Sequence, residues 1–174
     1  LFGVLNSVFS ATTTEQPGSP AFYASLAQQI NALVDGEPDL IANLANISAF
    51  LYDQLPDLNW LGFYLSQGDT LVLGPFQGKV ACVRIPFAKG VCGAAATTRE
   101  IQRIADVHAF PGHIACDSAS NSEIVLPIVV ANQVVAVLDI DSPKHDRFSA
   151  DDEAGLAGLL PMLESLNWAQ YEPI

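Results

Sequence analysis

Two pairs of apolar runs, each joined by a connection too short for a crossover, constrain this chain most. "LNWLGFYL" and "TLVLGPF" are linked by "SQGD", and "EIVLPIVV" and "QVVAVLDID" by "AN". Aromatic and β-branched runs joined this tightly read as hairpins, with Gly68 free to take the positive φ of the first turn. A parallel pair would need a dozen or more linking residues, so the central sheet is expected to be mainly antiparallel. Around it, residues 20–34 and 38–55 read as helices, the second carrying Leu40, Leu44, Ile47, Leu51 and Leu55 on one face, with Pro38 suited to its first turn. "VACVRIPF" alternates like a third strand, "GVCGAAATTRE" reads as a short helix of small residues, and "IQRIA" as a brief strand. Ser149 followed by Asp152 resembles an N-cap opening the last helix, which Pro161 should kink. Helices at both ends of a hairpin-built sheet give an α+β layer architecture. The expectation is an extension over 1–19, loosely held and without an initiating Met, and one domain over 20–170.

The chain has 174 residues, half of them hydrophobic, enough for one core, and a formal net charge of −12 with only seven Lys and Arg. Such a surface repels polyanions, so nucleic acid is not an expected partner, while a small ammonium group is attracted to an acidic cleft. No apolar run approaches the roughly 20 residues of a membrane-spanning helix. Three cysteines, with no secretory leader legible ahead of them, do not make a disulfide framework and fit a reducing cytoplasm.

Chemistry concentrates in those thiols and in the stretch "VHAFPGHIACDSASNSEIVLP". Cys92, at a helix start three residues after Lys89, is the thiol whose local electrostatics favour the thiolate. Cys116 lies beside Asp117, which raises its pKa, and near His113, which lowers it if the side chains meet; sequence leaves that contest open. Cys82, on the alternating run, reads equally well as a small buried hydrophobe. A zinc site would combine His108, His113 and Cys116 with Cys82 or Cys92, but no paired C-x-x-C or H-x-x-x-H spacing supports it. His145 reads as solvated. Glu123, Asp139 and Asp141 fall at strand ends, where the plain reading is solvated acids. Asp139 and Asp141, two apart on one strand, point the same way, which makes a proton or cation site. Trp60 and Tyr64, four apart, share one face of the first strand.

Together "NWLGFYL", "LGPFQGKVACVRIPFAKGVCG", "DVHAFPGHIACDSASNSEIVLPI" and "VLDIDSP" closely resemble the free methionine-R-sulfoxide reductases, stand-alone GAF-domain enzymes. The resemblance runs from about Pro20 to the last helix and leaves aside the first nineteen residues and Pro161. It implies a GAF domain with a mainly antiparallel sheet of about six strands, and reduction of free L-methionine-R-sulfoxide with thioredoxin as donor. No metal or organic cofactor is implied, and a homodimer through the N-terminal helices is. It makes Cys116 the nucleophile in place of Cys92, Cys82 the resolving thiol and Cys92 an auxiliary partner. It assigns Glu123, Asp139 and Asp141 to the substrate's surroundings, and Trp60 and Tyr64 to the aromatic side of the pocket. Within that scheme Asp141 is expected to donate the proton. The competing class is a GAF module that senses a small ligand without chemistry; such modules usually regulate an attached output domain, for which no stretch is legible here.

Overall fold

The computed structural model describes residues 9–114 and 117–171. They form a six-stranded sheet in which every neighbouring pair is antiparallel, in the order β3-β2-β1-β6-β5-β4. The strands are β1 (Trp60–Gln67), β2 (Thr70–Gly78), β3 (Arg84–Pro86), β4 (Gln102–Ile104), β5 (Ser122–Val130) and β6 (Gln133–Ser142). Both expected hairpins are present, β1–β2 turning through Gly68 at φ 62° and β5–β6 through Ala131 and Asn132 at φ 49° and 63°. Two consecutive positive φ values are the twist that a two-residue hairpin needs, here adopted without glycine.

Period-two alternation divides the sheet's faces. Leu61, Phe63, Leu65, Ile124, Leu126, Ile128, Leu138 and Ile140 point to one side and pack in the main core. That side is covered by α1 (Pro20–Val34), α2 (Leu40–Gln54), α4 (Ala150–Ala157) and α5 (Leu160–Glu164). Trp60, Tyr64, Val125 and Val137 point to the other side, where α3 (Gly90–Thr98) packs in a smaller cluster. At roughly 25 cal/mol per Å² the larger face supplies most of the hydrophobic stabilisation, which leaves the smaller one free to carry polar groups.

Local signals set the boundaries. Ser19 caps α1, and Ser149 with Asp152 closes a capping box on α4. Helix α2 starts at Leu40 rather than Pro38, because the Asp39 carboxylate accepts the Ala42 N–H at 2.8 Å and takes the cap position. Pro161 sits in the first turn of α5, and the terminal helix is broken after Ala157 instead of bent. The alternating "VACVRIPF" forms a strand only over Arg84–Pro86. Between Lys79 and Val83 the carbonyls of Lys79 and Cys82 accept from Trp60 Nε1 at 3.1 Å and Tyr64 Oη at 3.0 Å, while Val83 O takes the Leu73 N–H at 3.0 Å. Side chains thus occupy two of the acceptors a ladder would use, and Cys82 lies on an irregular segment. Ahead of α1, the Thr12 N–H donates to Gln29 and Thr13 Oγ1 to Gln54.

Candidate active site

Strand register gathers the acids. Trp60 pairs with Asp141 and Asp141 with Glu123, while Gly62 pairs with Asp139 and Asp139 with Val125. Directly paired residues point to the same face, so Glu123, Asp139 and Asp141 meet on the side covered by α3. That helix is built mostly from Ala, Gly and Thr and can lie close to the sheet; a Cβ on Gly93 would come within 2.6 Å of Pro86 O. Its first turn lowers Cys92 onto the acids. One donor atom each from Cys92, Glu123 and Asp139 lies within 4.8 Å of the others, with Cys92 Sγ 3.9 Å from Glu123 Oε1 as donor. Cys92 is 4% exposed and Glu123 and Asp139 6% each, so the plain reading of the last two as solvated strand ends does not hold.

Burial sets their protonation. Glu123 is pushed well above the ordinary carboxylate range, first by loss of water and then by the charges of Asp139 and Asp141. Asp141 moves up strongly for the same first reason, with Asp139 and Asp117 adding repulsion and a hydrogen bond to Ser120 opposing it. Asp139 rises least, to about 6, because bonds from Cys92, Glu123 and the Ile140 N–H favour its charged form against desolvation. At neutral pH one carboxylate, Asp139, is therefore charged among protonated neighbours. Its Oδ1 has no hydrogen-bond partner among the described residues. The same surroundings correct the reading of Cys92 as the favoured thiolate: burial and the charges of Asp139 and Glu123 push its thiol up, outweighing the short helix and the exposed Lys89.

A cavity of about 30 Å³ lies over this cluster, room for water rather than for an amino acid. Cys92, Glu123, Asp139 and Asp141 line it together with Lys89, His113, Asp117 and Ser120. Asn59 Nδ2 donates to Asp117 at 3.1 Å and to Ser120 at 3.0 Å, tying the loop that follows residue 116 to the start of β1. Asn59 and Ser120 escape sequence reading because small polar residues in a loop look like ordinary turn chemistry. Trp60 and Tyr64 are buried on the same side of the sheet, their rings stacked at 5.8 Å, and Phe76 also stacks on Trp60 at 5.3 Å. Neither ring lines the cavity; burial and the nearby acids drive the Tyr64 hydroxyl's pKa upward.

Cys82 is disulfide-bonded and half-buried, whereas Cys92 carries a free thiol. Cys116 lies outside the described residues. The zinc combination of His108, His113 and cysteines, which no sequence spacing supports, is not among the groups with metal-ligand spacing: among the described residues the one such group is Cys92, Glu123 and Asp139. His108 instead bonds Asn121, and His145 is exposed beside Asp106.

With this geometry in hand, the likenesses to known proteins are specific. The GAF domain family matches residues 39–160. The free methionine-R-sulfoxide reductase of Escherichia coli (strain K12) is 61% identical over 145 residues, 83% of this chain and 88% of the relative. That of Saccharomyces cerevisiae is 45% identical over 139 residues, 75% of this chain and 77% of the relative. The X-ray structure of free methionine-R-sulfoxide reductase from Neisseria meningitidis in complex with its substrate superposes with a TM-score of 0.88 at 40% identity, covering 93% of this chain and 97% of that one. A buried acid–thiol cluster on a GAF sheet, matched in sequence across most of the chain, makes this protein an enzyme of the free methionine-R-sulfoxide reductase family.

Proposed function

We propose that this enzyme reduces free L-methionine-R-sulfoxide to L-methionine in the cytoplasm, with Cys116 as nucleophile, Cys82 as resolving thiol and thioredoxin as the source of electrons. The observation that carries the proposal is the cluster of Glu123, Asp139 and Asp141 lining the cavity together with His113, Ile114, Asp117 and Ser120, the residues that flank position 116 in sequence. A sulfoxide oxygen leaves only when protonated, and a carboxyl group that keeps its proton at neutral pH is the donor required. Asp141, bonded to Ser120 at the cavity's edge, takes that role, and Glu123 supports it. The ionised Asp139 supplies the negative potential that draws in the substrate's ammonium. The cavity as it stands is too small for the substrate, so entry requires it to widen, and Trp60 and Tyr64 then back the methyl group.

The Cys116 sulfur attacks the sulfoxide sulfur, and the oxygen takes a proton. The resulting hydroxyl passes from the substrate sulfur to the Cys116 sulfur as the bond between the two sulfurs breaks, so that methionine departs as the thioether and Cys116 is left as a sulfenic acid. The Cys82 thiol then condenses with it, releasing water and forming a disulfide. Thioredoxin's dithiol reopens that bond by exchange and is itself oxidised. Cys92, with its proton held tightly, serves as an auxiliary thiol. A homodimer through the N-terminal helices fits the same reading.

NADPH oxidation coupled through thioredoxin reductase and thioredoxin tests it, with each free methionine sulfoxide epimer and a peptide-bound one as substrates. Turnover confined to the free R form is expected; turnover of the peptide form at equal rate overturns the reading. In single-turnover mode Cys116→Ser should release no methionine and Cys82→Ser one equivalent, and equal loss in both refutes the assigned roles.

A further inference from the structure

Residues 70–99 contain no Asp or Glu, although the chain has nineteen, and they hold Lys79, Arg84, Lys89 and Arg99, four of its seven cations. Three of the four surround Cys82 in sequence. Lys79, Arg84 and Lys89 are exposed, and none belongs to an ion pair among the described residues. Between them stand two of the most exposed large hydrophobic side chains described, Val80 at 89% and Val83 at 63%. Ile114, 37% exposed, lies across the cavity mouth beside Gly90.

These valines are held outward. The carbonyls of Lys79, Cys82 and Val83 are engaged by Trp60, Tyr64 and Leu73, so the backbone is fixed on its inner side and Val80 and Val83 cannot turn in without breaking those bonds. An apolar pair pinned in water, flanking a disulfide and framed by exposed cations on a chain of net charge −12, is costly unless something covers it. A disulfide at its centre requires that the visitor carry a reducing thiol.

We propose that Val80, Val83 and Ile114, framed by Lys79, Arg84 and Lys89, form the docking surface for the protein dithiol that reopens the Cys82 disulfide, a thioredoxin, and complementarity requires of that partner a contact face apolar at its thiol and acidic around it. The inference deepens the function proposed above by assigning the reductant a surface. So small a patch gives a weak, fast-exchanging encounter, which suits a reductant that must leave after each exchange, and the cations steer its approach. In the exchange, the partner's thiolate attacks one sulfur of the disulfide, the other sulfur leaves as thiolate and takes a proton, and the partner's second thiol resolves the mixed disulfide.

The test follows reduction of the oxidised, full-length chain without any methionine sulfoxide, by rapid acid quench and alkylation of the Cys82 thiol as it forms, with thioredoxin or dithiothreitol as reductant. For the unmodified chain the thioredoxin rate constant should fall steeply as salt rises. In Val80→Glu/Arg84→Glu it should be at least tenfold lower at low salt and lose that dependence, while the dithiothreitol rate stays unchanged. Val83→Ser should give a smaller loss with thioredoxin alone. Equal thioredoxin rates in both chains, or the same loss with dithiothreitol, overturns the proposal. The assay needs no turnover of sulfoxide, so absence of reductase activity would count against the proposed function and leave the docking surface to be judged by these rates.

Discussion

Asp139→Asn should make the protein more stable and less active, and the gain should depend on pH. Burial moves the Asp139 carboxyl from an ordinary 3.8 to about 6. At about 1.4 kcal/mol for each tenfold change in proton affinity, keeping this group ionised in the folded state costs about 3 kcal/mol. Below pH 4 both folded and unfolded chains hold the proton and no penalty exists. Between about 4 and 6 the unfolded chain ionises while the folded one does not, so stability falls as pH rises; above 6 both are charged and the penalty is complete. An amide of the same shape does not titrate. Urea denaturation should therefore give a gain of about 1 kcal/mol near pH 4.5 and about 3 kcal/mol near pH 7.5. Relief of the charge pressing on Glu123 and Asp141 adds to the second figure. Methionine release by the variant should drop at least tenfold. A gain equal at both pH values, or a loss of stability near pH 7.5, refutes the claim that a buried charge is carried here at the expense of the fold.

Gly155→Ala puts a Cβ into the ring of Tyr23, which cannot swing away because its hydroxyl donates to Asp152 at 2.6 Å. Although alanine is the better helix former by about 1 kcal/mol, thermal unfolding should show a net loss of about 1–3 kcal/mol. Asp152, 3% exposed, accepts from Tyr23, Arg147 and Ser149. Asp152→Ala strands the partly buried Arg147 and should cost about 3–5 kcal/mol by urea titration. The Asp152 pKa is lowered in the fold, so its contribution is present above the unfolded value near 4 and is lost as pH falls through the folded one; the variant and its parent should converge in acid.

Much of the fold was legible because hairpin turns and apolar periodicity are local. Gly68, the β5–β6 "AN" turn and the Ser149 box each act within four residues, and the sheet's antiparallel order follows from the turns. "VACVRIPF" misled because alternation reports which side chains face inward, not which acceptors are taken, and Trp60 and Tyr64, distant in sequence, take two of them. Cys92 misled for a related reason. A helix start and a nearby lysine are visible in sequence, but the strand register that brings Glu123 and Asp139 under the thiol is not, and burial beside two carboxyls outweighs one short helix. That Asp139 and Asp141 share a face was readable from their spacing. That Glu123 joins them required the pairing of β5 with β6, and Asn59 and Ser120 gave no signal at all.

The cluster's arithmetic explains why three acids stand where one proton is delivered. A single buried carboxyl keeps its proton through desolvation alone; here desolvation comes first for Glu123 and Asp141 as well, and the charge of Asp139, the first group to ionise, raises both further. Asp139 then acts on the donor through space, and its removal should alter when the donor works as well as how fast. In the unmodified enzyme the single-turnover rate should stay level from pH 6 upward until Asp141 and Glu123 lose their protons, and then fall. In Asp139→Asn the repulsion that lifts both groups is gone, so the alkaline limb of the residual rate should move to lower pH. In Ser120→Ala the bond that favours the charged form of Asp141 is lost, and that limb should move the other way. Opposite shifts from two neighbours of one carboxyl identify Asp141 as the group that titrates, while a limb that stays fixed in both variants removes Asp141 from the proton's path.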